Sequence, residues 1–137
     1  MNSYPVRHLT RSLRAAAAAL GLGILAGPAV ALDADDFAID STRDLYDLCS
    51  VQESDPQADS GHLLCIGYFA GAIDYHLAVV GPEMPPIVCA PEGTTRNDVI
   101  MNFVAWTGAR TDDATVMDAP PIQTALASAM DKWPCKP

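Results

Sequence analysis

Cysteine and histidine are the side chains in this sequence best suited to covalent or metal chemistry. They are Cys49, Cys65, Cys89 and Cys135, with His62 and His76 flanking and entering the longest apolar run of the chain's second half. His62 lies one helical turn before Cys65, an arrangement that could let an imidazole draw the proton from a thiol. No third group orients that imidazole, so a histidine-activated nucleophile is the weaker reading. His62 and His76 are fourteen positions apart, about 21 Å along one helix, so with Asp74 they cannot share a metal ion. The cysteines are spaced 16, 24 and 46 apart with no C-x-x-C pair, which removes zinc-ribbon and thioredoxin-type sites. Nucleophile-elbow, H-E-x-x-H and phosphate-loop patterns are missing, and Gly21, Gly23 and Gly27 lack the spacing of a nucleotide loop. No cofactor, no metal and no catalytic residues are therefore expected, and the four cysteines are read as two disulfides.

The elements that would hold those cysteines are helical. Ser41 with Asp44 three residues on reads as an N-cap, followed by Leu45, Leu48 and Cys49 on one face. A second helix starts between Pro56 and Gly61; from Leu63 to Val80 only Asp74 and His76 are strongly polar, so it is expected to be buried nearly all round. A membrane span is its competing reading. Gly67 and Gly71 are expected to let another helix approach, and Asp74 to find a hydrogen-bonding partner at a cap or loop. Pro82, Pro85, Pro86 and Pro91 make the next stretch a stiff loop. Thr94 or Thr95 caps a third helix with Val99, Ile100, Phe103, Val104 and Trp106 inward, ended by Gly108. Asp118 is expected to cap a fourth, with Ile122, Leu126, Ala129, Met130 and Trp133 inward. Tyr68, Phe69, Tyr75, Phe103, Trp106 and Trp133 are expected as core aromatics. The fold class is all-α, a small four-helix domain stapled by disulfides. In that order the end of the first helix meets the start of the second, pairing Cys49 with Cys65, and the antiparallel third and fourth helices return Cys135 to Cys89.

The chain has 137 residues, 50% hydrophobic and 18% charged, with 17 acidic against 8 basic side chains. That balance excludes a nucleic-acid binder, which needs a cationic footprint. Arg7, Arg11 and Arg14 precede an apolar run, Ala15 to Val30, that closes on Ala29-Val30-Ala31, the pattern of a secretory signal peptide over residues 1–31. Cleavage would leave 32–137 as one domain carrying 17 acidic and 5 basic side chains, a net charge of −12. No cysteine sits at the cleavage point, so no lipid or membrane anchor remains, and a soluble periplasmic protein is expected.

One set of motifs resembles a known family. The run Leu64-Cys65-Ile66-Gly67-Tyr68-Phe69-Ala70-Gly71-Ala72-Ile73-Asp74, then Cys89-Ala90-Pro91, Ala125-Leu126 and a closing Trp133-Pro134-Cys135 is similar to the Rap/Tai immunity proteins of type VI secretion. The resemblance covers about Asp44 to Cys135. It implies a helical periplasmic protein, not an enzyme, that binds and inhibits a cell-wall amidase effector delivered by neighbouring cells. Size, compartment and disulfide-tied helices also resemble the HdeA-like acid-stress chaperones, the alternative function. Between Trp106 and Asp118 an acidic segment replaces the family's short proline-bearing turn. The expected partner surface is this connector, with Asp112, Asp113 and Asp118, assisted by the proline-rich loop around Glu83, because loop side chains are least committed to a core. The partner is expected to be a protein, the effector or a second copy in a homodimer.

Overall fold

The computed structural model describes residues 31–81 and 83–135, and within them the chain is helical with two disulfides. The arginines and apolar run read as a signal peptide lie outside the described residues. After a 3-10 turn at Asp36–Ala38 come α1 (Thr42–Ser50), α2 (Ala58–Val79), α3 (Arg96–Gly108), α4 (Ala114–Met117) and α5 (Pro121–Lys132). Four of these are the expected helices, and α4 is a single turn inside the acidic connector.

α1 begins where Ser41 is extended and its hydroxyl accepts from the Asp44 amide, while the Asp44 carboxylate accepts from the Ser41 amide at 2.8 Å. This reciprocal cap satisfies two of the donors that every helix start leaves open. α1 packs on every other helix. Its Leu45 and Leu48 are fully buried and join Phe69 of α2 and Phe103 of α3, whose rings lie 5.3 Å apart at 59°. Each of these large side chains contributes about 1.5–3 kcal/mol by leaving water. Thr42 fastens α1 to α5: its hydroxyl is 2.9 Å from the Ala119 carbonyl and 2.8 Å from the Thr124 hydroxyl, and its amide also donates to Ala119.

Thr95 caps α3 through the same reciprocal arrangement with Asp98. Gly108 is the last residue of α3, but its role is a close approach, since a Cβ there would come 3.1 Å from the Tyr46 hydroxyl of α1. Asp118 does not cap the last helix. Asp113 caps α4, Asp118 closes it, and α5 starts on Pro121, whose missing amide is one that a helix start leaves unbonded anyway. The inner face of α5 is Thr124, Ala125, Ser128 and Ala129, with Ile122 and Met130 outward. Small residues win that face because α3 lies directly against it, with the Asn102 side chain donating to the Ser128 carbonyl at 2.9 Å. The residues before α1 dock as well: Leu32 is buried, and its amide donates to the Asp55 carboxylate at 2.9 Å.

Candidate functional site

α2 is not buried all round. Ala58, Gly61, Cys65 and Phe69 form its buried face, and the opposite side meets no other element. Leu63 is 69% exposed, Tyr75 71% and Leu77 66%. α1 and α3 pack along one side of this 22-residue helix, about 33 Å long, and leave the other side open. Gly67 and Gly71 face open space, with nothing within 4 Å of a Cβ built on either, so the helix expected to approach them is not part of this chain's described fold. Asp74 also faces water on this side and makes no hydrogen bond among the described residues, so exposure meets its solvation need without a partner. Tyr75 likewise leaves the set of core aromatics. Trp106 is half-buried at the surface, where Arg110 stacks 3.8 Å from its ring and its indole nitrogen donates to Asp131.

By length and composition α2 could cross a membrane. Its tertiary bonds argue for a different role: Cys65 is joined to Cys49 of α1, and Phe69 is buried against Phe103. What remains is a long apolar face presented to solvent, the mark of a surface that meets another molecule.

Two grooves flank this helix. One, of about 510 Å³, runs between α2 and α3 past His62, Ile66, Ile100 and Met101. The other, of about 480 Å³, lies at the C-terminal half of α2, with Ile73 and Leu77 on one wall, Val99 of α3, Ile122 and Leu126 of α5, and the 86–91 loop as its far wall. That loop is held by Cys89–Cys135 and by the Cys89 amide donating to the Trp133 carbonyl at 3.0 Å.

The cysteine pairing is Cys49–Cys65 and Cys89–Cys135, as the helix order leads one to expect. With every cysteine bridged, His62 has no thiol to activate. Among the described residues no cluster of three or more histidine, cysteine or acidic side chains could hold a metal. The acidic residues singled out from the sequence divide into two places. Asp112, Asp113 and Asp118 sit together on the α3–α5 connection; Asp112 is exposed, Asp113 accepts from the Thr115 amide at 2.9 Å, and Asp118 lies 4.0 Å from Arg43. Glu83 is exposed in a turn closed by Gly81 and Met84. That turn leads into the loop tied to the far end of α5, a helix about 18 Å long, so Glu83 does not join the other three.

The family described as Rap1a immunity proteins matches residues 41–135. The chain belongs to this family. No curated protein and no solved structure matches it. The match begins at the Ser41 cap and ends at Cys135, so it takes in all five helices and both disulfides. Membership in an immunity family implies a protein that works by binding a protein effector, which agrees with an open apolar helix face and no reactive thiol. Leu63, Tyr75 and Leu77 were missed as surface residues because an apolar helix without polar stripes reads as core. The usable signal was Gly67, Gly71 and Asp74, which at about 100° per residue share the side away from Cys65 and Phe69.

Proposed function

We propose that this chain is a periplasmic immunity protein that binds and blocks a cell-wall amidase delivered by type VI secretion. The observation that carries the reading is the uncovered side of α2, with Leu63 and Tyr75 in water, in a chain of an immunity family. Tyrosine is among the residues enriched where binding energy concentrates at protein interfaces. Gly67 and Gly71 on the same face support self-pairing, because helices approach closely where side chains are lacking; a homodimer through α2 is part of the proposal. Asp112, Asp113 and Asp118 would act in the encounter by steering a basic partner, an effect on association rate that salt weakens. An export signal over residues 1–31 would deliver the remaining domain to the periplasm, where both disulfides persist.

The test is inhibition of peptidoglycan amide cleavage by purified amidase effectors, with complex formation followed by size-exclusion chromatography. The exported chain is expected to inhibit its cognate enzyme at stoichiometric concentration. Leu63→Asp and Tyr75→Asp should abolish complex formation or dimerisation without unfolding the protein. If no amidase is bound or inhibited, the proposal fails. The HdeA-like chaperone reading instead requires the fold or its oligomer to loosen as the carboxylates protonate.

A further inference from the structure

The lining of the groove at the C-terminal half of α2 differs in charge from the rest of the protein, although the Asp98 carboxylate stands bonded to Thr95 at its rim. Seventeen of the chain's side chains are acidic, yet none of the nineteen described residues lining this groove is Asp or Glu. Its only charged or titratable linings are Arg96 and His76. Arg96 forms no ion pair among the described residues, where the single pair is Arg43 with Asp118. The two threonine hydroxyls at the rim are already committed, Thr94 to the Pro91 carbonyl and Thr95 to the Asp98 carboxylate. What is left for a ligand is an apolar trough from Ile73, Leu77, Val99 and Ile122, with one unpaired guanidinium and one imidazole at its edge. At about 480 Å³ it falls within the ~300–1,000 Å³ of ligand sites, which are mostly apolar with a few placed polar groups.

We propose that this groove binds a single-chain alkyl carboxylate, of the fatty-acid class, with its chain along α2 and α5 and its carboxylate at Arg96. A cationic amphiphile of equal length would find no counter-charge in the lining. A neutral one would gain only the apolar part. This inference does not depend on the immunity reading, because its ligand is measured without any partner.

The test is calorimetric titration of the exported, disulfide-intact chain with octanoate, decanoate and dodecanoate below their micellar concentrations. Decyltrimethylammonium and decyl maltoside serve as cationic and neutral controls. Saturable one-to-one binding of the carboxylates is expected, tightening by up to about fourfold per methylene. Arg96→Gln should weaken carboxylate binding about two- to fivefold, the scale of an exposed ion pair, and leave the maltoside unaffected. Leu77→Glu, at an exposed position, should abolish carboxylate binding with an unchanged helical circular dichroism spectrum. No saturable binding, equal binding of the cationic analogue, or an Arg96→Gln variant with unchanged affinity would each overturn the proposal. A groove closed to all the amphiphiles but protected from hydrogen exchange by a protein partner would overturn it too, assigning the groove to that partner.

Discussion

Mild acid should tighten this fold, and Asp47 is the reason. Asp47 is half-buried on α1, and its carboxyl is pushed from 3.8 up to about 6, first by burial, then by Asp36, against the pull of Arg43, with a smaller push from Asp44. In the unfolded chain the same group titrates near 3.8. Above pH 6 both states carry the charge, and only the folded state is penalised for it. As pH falls from about 6 toward about 4, the folded chain binds a proton that the unfolded chain does not, so the free energy of unfolding rises through that window and then levels off. Two pKa units correspond nominally to about 3 kcal/mol. Half of this side chain is in water, where such effects are screened, so about 1 kcal/mol is the expected size. That amounts to roughly 4–8 °C in melting temperature for a domain near 100 residues. Asp98 does not mask it: its carboxyl is held below the usual range by hydrogen bonds from Thr95, so its contribution is lost only as pH falls through that depressed value, under the Asp47 window. The assay is urea unfolding at successive pH values from neutral down to the unperturbed carboxylate range. Asp47→Asn should gain about 1 kcal/mol at neutral pH and flatten the profile. Wild-type stability that falls between pH 7 and 5, or an Asp47→Asn variant no more stable at neutral pH, would refute the reasoning.

Two buried threonines should respond in opposite ways to the same change. Thr42→Val strips the α1–α5 contact of its hydroxyl and should cost about 1–3 kcal/mol in chemical denaturation, whereas Thr107→Val should be neutral or stabilising, because the Thr107 hydroxyl is buried with no partner. Replacing both Cys89 and Cys135 by serine opens a 46-residue separation and should cost about 4 kcal/mol in the chain-entropy account; groove ligand binding, measured by titration at a temperature where the variant is folded, should fall with it. Leu63→Asp and Tyr75→Asp, at exposed positions, should change the unfolding free energy by no more than about 0.5 kcal/mol in urea denaturation, as is typical of surface changes. Asp112→Asn with Asp113→Asn should slow association with a protein partner in stopped-flow experiments and flatten its salt dependence.

Local rules made much of this protein legible from its sequence alone. The Ser41 and Thr95 caps depend on a hydroxyl and an acid three residues apart, and the proline-rich break after α2 depends on missing amides and a locked φ, so all three are written in short stretches of chain. The disulfide pairing followed because helix order and short connectors leave few ways to bring cysteines together. What the tertiary structure alone decided was which side of each helix faces inward. α2 is apolar over most of its circumference, so its sequence carries only a weak phase; its outer side became a surface because α1 and α3 pack on one side alone. On α5 the large residues turned outward and Thr124, Ala125 and Ser128 inward, since the close approach of α3 and the polar contact with Thr42 outweigh the greater hydrophobicity of Ile122 and Met130. Asp118 lost its expected capping role to a one-turn helix anchored by buried Met117, a long-range packing effect with no local marker. Facing and burial depend on how much neighbour is available at each point along a helix, and that quantity exists only once the helices are assembled.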